Sequence, residues 1–516
     1  MWSKKTIILL GFILLKFLIQ YNLVSSEYDL HRDEYLHLDQ GDHLAWGFQS
    51  VPPFTSWISY IIKLLGNSVF WVIFFPALFG ALTLLVVWKT IEALKGNLFA
   101  LILASTGILF SAMLRINMLY QPNSFDVLSW TTFYLILIKY FNSEDRKWLF
   151  LGAFVFAIAF LNKYNFAFLL IGAFPAIILS EHRKVFAKKE FYMAVIFGLL
   201  LILPNLLWQY NNSFPVIHHL KELEETQLVN VNRLDFFKGQ LLFFIGSLPV
   251  IFFALYGLLF YAPFRKYRLF FWMMVFTLTV FTYFKAKDYY AIGIYPIYIA
   301  FGAVYLENVL KSGWKNYFKP ILIALPILLF IPISKVAFPN KSPLYIKEHS
   351  QPYKKFGLLH WEDGKDHEMP QDFADMLGWK ELATKVENIY EKLPNQEQTI
   401  ILCDNYGQAG AINYYSKNKK IKAVSFNADY INWFHLENKT ENFIRVKEFK
   451  ASQNELAETK PFFETAMLAD SVTNALAREY KTRIFVFSKP KIDINKRLKS
   501  EVDDLQNFKS HNEYQK

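Results

Sequence analysis

The sequence predicts a polytopic α-helical membrane protein that ends in a small α/β domain. Three observations predict it. Of the 516 residues, 53% are hydrophobic and 18% aromatic, with 52 Phe, more apolar than a soluble chain of this size. The apolar residues fall in runs of roughly 20, the length that crosses a bilayer core. From about Phe338 those runs stop and charges become frequent.

The first run, Thr6 to Val24, follows Lys4 and Lys5. Two readings fit it: a cleaved signal peptide, since Val24-Ser-Ser26 ends in small residues, or a retained span. Lys16 and Gln20 favour the span, on a face turned to protein. Further spans read at 69–88, 97–114, 124–141, 148–162, 164–180, 191–210, 240–262, 268–284, 289–307 and 319–337, with two short segments meeting near Lys163. With the first, that makes about eleven.

Formal charge is +11. Lys and Arg concentrate in alternate loops, among them Lys4, Lys89, Arg146, Arg183, Lys189, Arg265, Lys266 and Lys315. The positive-inside rule therefore puts the N-terminus in the cytoplasm and the C-terminal domain outside. The loops 27–68 and 211–239, the stretch Arg115–Pro122, Lys163 and Lys285–Tyr289 face outward with it. Membrane topology accounts for the basic excess, and no nucleic-acid-binding pattern is present. With Cys403 as the one cysteine, no internal disulfide forms.

Residues 1–337 read as the membrane domain, with 27–68 as its outer catalytic loop. That loop carries Trp46, Trp57 and an apolar run, Ile58–Leu65, suited to helices lying at the membrane interface. Residues 338–516 read as an extracytoplasmic domain. Helical periodicity runs from Phe373 to Leu393, then a strand, Thr399–Cys403, a small-residue turn and a helix to Tyr415. Lys422–Phe426 and Arg483–Phe487 are further strands, and the tail after Lys489 is charged. Such alternation argues a small α/β domain.

Four constellations carry chemistry. Asp33 and Glu34, in Tyr28-Asp-Leu-His-Arg-Asp-Glu-Tyr35, stand about a dozen residues past the first span. Two carboxylates at the mouth of a helical bundle suit a base and an orienting group; on an extended loop their side chains point apart. The bland alternative is a pair of solvated acids. His43 follows Asp42 ahead of Trp46-Gly47 and Pro52-Pro53, either at a site or as part of an interfacial anchor. Lys285 and Lys287, with Tyr289 and Tyr290, lie on the side that the positive-inside rule depletes of cations, and suit a phosphate head beside a sugar. Arg115 and Asp126 lie at the outer ends of two spans, as site groups or as a structural pair. Lys163 adds a further outward cation. The pair His218-His219 lacks a completing metal-ligand set, and no metal site is expected. Walker A, dinucleotide-binding, zinc-protease and nucleophile-elbow motifs are absent, which argues against ATP hydrolysis and dinucleotide redox chemistry.

These pieces, in this order, resemble the C-fold membrane glycosyltransferases of the protein-mannosyltransferase type (family 39), a superfamily that includes the lipid A aminoarabinose transferases. The resemblance rests on Arg32-Asp-Glu34, His43-Leu-Ala-Trp-Gly47 with Pro52-Pro53, Pro122-Asn-Ser-Phe-Asp126, Leu161-Asn-Lys-Tyr164, Leu203-Pro-Asn-Leu-Leu-Trp-Gln209, Lys287-Asp-Tyr-Tyr290 with Tyr295-Pro296, Asp375-Met-Leu-Gly-Trp379 and Asn405-Tyr-Gly407. It implies a C-type glycosyltransferase fold and inverting hexosyl or pentosyl transfer from a polyprenyl-phosphate sugar on the outer face of a bacterial inner membrane. It gives Asp33 the role of general base and Glu34 that of orienting donor or acceptor. Lys285, Lys287, Arg115 and Lys163 would hold the donor phosphate; His43, Asp126, Tyr289 and Tyr290 would line the substrate site. The acceptor is a lipid, polysaccharide or protein of the envelope. No cofactor is required, although a divalent ion bridging phosphate and acid is compatible with these residues. The competing readings are a lipid-linked sugar flippase, which calls for mid-membrane charges and internal repeats, and a non-catalytic envelope protein.

Overall fold

The computed structural model describes residues 3–226 and 232–506. Part of the outer loop read at 211–239, namely 227–231, lies outside the described residues, as does the end of the charged tail from 507. The chain forms two compact units. The first comprises Met1–Leu23, Ala45–Thr55 and Phe70–Phe338; the second comprises Val24–Leu44, Ser56–Val69 and Pro339–Lys516.

The first unit is helical. Its apolar runs form the helices Lys4–Tyr21, Val69–Ala93, Leu98–Leu109, Asn123–Ser143, Lys147–Asn162, Phe166–Ile178, Lys189–Asn211, Leu248–Phe260, Leu269–Tyr283, Tyr295–Val309 and Phe318–Ser334. Among the described residues, four unbroken stretches are long and apolar enough to cross a membrane: Val69–Ala93, Lys189–Asn211, Asp288–Val309 and Gly313–Ser334. Two of the spans read from the sequence are not straight. Arg233–Leu242 meets Ile245–Phe260 at 70°, and Phe166–Ile178 turns by 107° into Glu181–Ala187. The run read at 97–114 also stops early. Ser111 ends it, because its hydroxyl donates to the Ile108 carbonyl at 2.6 Å and accepts from the Met113 N–H at 3.2 Å, in competition with the helical ladder.

Packing in this unit centres on Asp288–Val309, whose apolar window is 83% buried, whereas that of Gly313–Ser334 is 6% buried. Gly302 makes the central helix's close contact. A Cβ there would collide with the Val250 carbonyl, so only a hydrogen lets the two backbones approach. The first helix turns its polar side inward: Lys16 donates to Gln20 Oε1 at 2.6 Å, and Gln20 donates to the Leu114 carbonyl at 3.2 Å.

The second unit holds a five-stranded sheet of β1 (Thr399–Cys403), β2 (Ala423–Ser425), β3 (Asn442–Lys447), β4 (Phe463–Ser471) and β5 (Arg483–Pro490), in the order β2-β1-β3-β5-β4. β1 runs parallel to β2 and β3, and β5 runs antiparallel to β3 and β4. β3 and β4 were not legible in the sequence. In β3 the adjacent Phe443 and Ile444 are both buried, and β4 is an edge strand whose Met467 and Leu468 are exposed, so neither shows a clean alternation.

The helix Arg32–Gln40 belongs to this unit although it lies in the first outer loop. Its last seven residues are buried and mostly polar. They need partners that an apolar bundle does not offer. Asp39 Oδ2 accepts from the Asn413 amide and the Tyr430 hydroxyl, each at 2.7 Å. Gln40 donates to Asp429 Oδ2 at 2.8 Å. Burial pushes the Asp39 carboxyl up to about 6, against the pull of those two donors and of Lys63. The facing helix, Tyr406–Tyr415, comes close because Gly410 has no side chain: a Cβ there would lie 2.5 Å from the Tyr430 hydroxyl, 2.6 Å from Tyr35 Cβ and 3.1 Å from the Tyr35 backbone. Gly410→Val is expected to lower the stability of this unit by about 1–3 kcal/mol, read as a lower thermal midpoint of the purified protein.

Candidate functional site

Asp33 and Glu34 occupy the first turn of the helix Arg32–Gln40, not an extended loop. The turn is closed by a capping box. His31 Nδ1 accepts from the Asp33 N–H at 3.3 Å, and Glu34 Oε2 accepts from the His31 N–H at 2.6 Å. Two donors left open at a helix start are thereby satisfied. Glu34 is 1% exposed; its carboxylate is engaged by the backbone, and its visible work is to fix where Asp33 stands. Glu34→Gln, which keeps the capping acceptor, is expected to leave sugar transfer within about threefold of wild type. Glu34→Ala is expected to cost about 1 kcal/mol of stability. Transfer assays beside thermal melts check both, and a large loss in the Gln variant would return Glu34 to direct substrate contact.

Asp33 is more accessible, with 40% of its side chain exposed. The Tyr406 hydroxyl donates to Asp33 Oδ1 at 2.6 Å. Oδ2 lies 4.0 Å from His31 Nδ1. The Arg32 guanidinium sits over the Tyr406 ring, 4.5 Å from its centroid. Burial opposes ionisation of Asp33, but His31, the Tyr406 hydroxyl and Arg32 together outweigh it and hold the carboxyl below its ordinary range. The group is therefore a carboxylate at neutral pH.

Residues far along the chain support this turn. Arg32 N–H donates to the Asp375 carbonyl at 3.1 Å, and Asp29 N–H to the Met376 carbonyl at 2.8 Å. Asp29 Oδ2 accepts from the N–H groups of Trp379 and Lys380, at 3.0 and 3.2 Å, at the start of the helix Trp379–Lys392. Asp375 is held by Arg478 Nη1 at 3.2 Å and lies 3.9 Å from His31 Nε2. Beneath Tyr406, buried Glu479 accepts from Asn405, Gln408 and Thr482. The motifs Arg32-Asp-Glu34, Asp375–Trp379 and Asn405-Tyr-Gly407 thus form one assembly. His43 belongs to the same unit, where its ring stacks on Trp433 with centroids 4.2 Å apart.

Within the first unit a second cluster forms. Lys163 Nζ donates to Asn123 Oδ1 at 2.7 Å and lies 4.3 Å from the Tyr290 ring centroid and 5.3 Å from that of Tyr289. Asp126 Oδ1 accepts from the Trp130 indole at 3.0 Å, and its Oδ2 from the Asn165 amide at 3.1 Å. Asn165 also donates to the Tyr290 carbonyl at 3.1 Å. Lys287 is near enough for its charge to act on Lys163. Asp126, Lys163, Tyr289 and Tyr290 are thereby brought together. The structural pair with Arg115 is not how Asp126 is held; it takes Trp130 and Asn165. Arg115 instead lies 4.0 Å from Met118 Sδ and lines an apolar cavity of about 150 Å³ with Phe243, Pro326 and Phe330. Lys285 follows the helix Leu269–Tyr283 with a left-handed backbone, φ +50°.

Sequence reasoning did not single out His31 or Tyr406, and it did not pair Asn123 with Lys163 or Asn165 with Asp126. Tyr406 lay inside a quoted motif, but nothing in the chain ties it to Asp33, 373 residues away. Among the described residues no group of three or more His, Cys, Asp or Glu is arranged to hold a metal ion.

The fold and these clusters define a multi-pass helical membrane protein with a mixed-sheet domain and a carboxylate centre. A sequence model of the dolichyl-phosphate-mannose-protein mannosyltransferase family matches residues 50–208. The lipid A galacturonosyltransferase RgtD of Rhizobium johnstonii is 25% identical over 258 residues, covering 48% of this chain and 52% of that protein. The chain thus matches about half the length of this curated relative. In fold, it is similar to ArnT of Cupriavidus metallidurans. The crystal structure of ArnT bound to undecaprenyl phosphate superposes with a TM-score of 0.60 at 11% identity, over 94% of this chain and 98% of that one. The apo form gives a TM-score of 0.57 at the same identity and coverage. Family model, relative and fold alike are those of the C-type, family 39-like glycosyltransferase superfamily, to which the chain is similar.

Proposed function

We propose that this protein is an integral-membrane glycosyltransferase that moves a sugar from a polyprenyl-phosphate donor to an acceptor hydroxyl, inverting the anomeric centre, on the outer face of a bacterial inner membrane. The observation that carries the reading is Asp33: a part-exposed carboxylate, kept ionised and braced by the motifs that underlie the superfamily resemblance. The lipid-phosphate donor is supported by the undecaprenyl phosphate named with ArnT, and a lipid acceptor by the name of RgtD. A polysaccharide or protein acceptor fits the same chemistry.

In the proposed step the acceptor oxygen attacks the anomeric carbon from the face opposite the phosphate. The bond from that carbon to the phosphate oxygen breaks, and its electron pair leaves with the phosphate. Asp33 takes the acceptor proton and later yields it to water. Phosphate is a good leaving group, so bond breaking leads and a weak base suffices. Lys163 and Lys287, with Lys285 and Arg115, supply the cations that stabilise the departing phosphate. Substrate-binding roles for His43 in the second unit, and for Asp126, Tyr289 and Tyr290 in the first, are part of the same proposal. No cofactor takes part in this scheme; a divalent ion, if bound, would supply further positive charge toward the departing phosphate. The test is transfer of labelled sugar from a panel of polyprenyl-phosphate sugars to membrane acceptors by the full-length protein. A labelled product supports the reading and names the acceptor. Transfer that survives removal of the Asp33 charge overturns its catalytic part.

A further inference from the structure

We propose that Gln240 is a positioning residue for the donor phosphate: together with Asn165 it pins the backbone of residues 288–290, so that Lys287, Tyr289 and Tyr290 stand in place beside Lys163 before the donor arrives. The proposal rests on the glycosyltransferase reading and brings into it two residues that the reading leaves without a role. Both are buried, and the orientation of each carboxamide is fixed by its partners. Gln240 Nε2 donates to the Asp288 carbonyl at 2.9 Å and to the Phe236 carbonyl of its own helix at 3.1 Å, while its Oε1 accepts from the Tyr295 hydroxyl at 3.1 Å. Asn165 Nδ2 divides its two N–H groups between Asp126 Oδ2 and the Tyr290 carbonyl. Carbonyl and carboxylate oxygens only accept, so a flipped amide would meet them oxygen to oxygen. The carbonyls of 288 and 290 are thus held by side chains from two different parts of the bundle, the helix Arg233–Leu242 and the N-terminal end of the helix Phe166–Ile178.

These contacts matter because of the residues they hold. Lys287 immediately precedes Asp288, and its charge acts on Lys163. Two ammonium groups that feel each other repel, and the repulsion drives this loop away from Lys163 until an anion bridges them. The two carboxamides oppose that movement without adding charge. A carboxylate in their place would pair with the lysines and compete with the phosphate. Gln240 is in turn anchored to the buried central helix through Tyr295, the first residue of Tyr295–Val309, whose ring packs on Phe244 with centroids 5.5 Å apart. The helix Arg233–Leu242 reaches the loop at Gly239, where a Cβ would lie 2.8 Å from Asp288 Cβ. The seat is built in advance, which is how fixed charges gain their effect on a departing group.

The experiment uses the full-length protein in detergent and two readouts that need no sugar transfer. Hydrogen–deuterium exchange follows the peptide 285–294, and native mass spectrometry measures the binding of undecaprenyl phosphate. In Gln240→Met, which keeps the length of the side chain and loses its donors, exchange of that peptide is expected to rise about tenfold, and undecaprenyl phosphate to bind about tenfold more weakly. Exchange in the helix Lys147–Asn162 stays as in wild type. Asn308→Ala, which removes an amide that donates to the Val304 carbonyl of its own helix, is the control and leaves both readouts unchanged. If Gln240→Met does not fold, Asn165→Ser serves: it releases the other end of the same three residues, with the same two results. Unchanged binding of undecaprenyl phosphate in a folded variant overturns the proposal even where exchange rises, because the two amides are then structural only. A wild type that binds no undecaprenyl phosphate overturns it together with the donor reading. Weaker binding by the variant of a protein that transfers no sugar leaves the positioning role standing and removes the glycosyltransferase reading.

Discussion

Asp33→Asn is expected to lower sugar transfer by about a hundredfold or more, the contribution of a positioned general base, with the fold intact. The amide keeps the shape of the carboxylate, and its oxygen can go on accepting the Tyr406 hydroxyl. The N-terminal position suits it too, since Asn and Asp are both tolerated at helix starts. What the substitution removes is the negative charge and the ability to take a proton. Initial rates across pH, beside a thermal melt, separate the two effects. The loss should appear in kcat and persist from pH 5 to 9, because no pH restores a base to an amide. An equal melting temperature with wild-type rates would remove the catalytic role and leave Asp33 as a partner of Tyr406 within its own unit.

The second large effect is expected at Lys163. Lys163→Met should reduce transfer by roughly 10²–10³, the range seen when one preorganised group that stabilises transition-state charge is removed. An ammonium carries three N–H donors. One goes to Asn123, and the two tyrosine rings hold the group by their faces, which leaves donors for a phosphate oxygen. Methionine matches the stem and removes the charge. Lys163→Arg retains the charge, but its larger planar head does not fit the same seat, so it should recover only part of the rate. Measured against donor concentration, the loss falls mainly in kcat if the charge acts on the departing phosphate, and in KM if it only binds the donor. A variant with unchanged kcat and KM would remove Lys163 from the site and leave it as a structural partner of Asn123.

Much of the membrane unit was legible in the chain because it rests on local pattern. A run of about 20 apolar residues has one low-cost arrangement in a bilayer, a helix with every backbone group satisfied internally. The helices at 69–93, 189–211 and 269–283 follow from that alone. The departures come where a side chain competes with the backbone, as Ser111 does at the end of Leu98–Leu109, or where a run long enough to cross is bent within itself, as between Leu242 and Ile245. Hydropathy sums over a window and does not see a single hydroxyl.

The clusters divide in the same way. Asp33, Asp126, Lys163, Tyr289 and Tyr290 were visible as ionisable and aromatic residues at the ends of apolar runs. Their partners were not. Asn123, Asn165, His31 and Tyr406 are ordinary polar residues in ordinary surroundings, and only the packing gives them an Asp or Lys to hold. Glu34 likewise gains a contact that the sequence reading did not contain: its Oε2 accepts from the His31 N–H at the helix cap.

By itself, then, the sequence determined a membrane protein of many apolar spans, a separate α/β region after about residue 338, and an acidic pair just past the first span. These are properties of composition and short-range period, which are present in the chain before it folds. The tertiary structure decided that the segments 24–44 and 56–69 fold with the C-terminal region, that Glu34 caps the helix Arg32–Gln40, and that Tyr406 reaches back to Asp33. The physical reason is that a buried polar group must find a partner wherever the fold supplies one, and sequence distance places no limit on where that partner comes from.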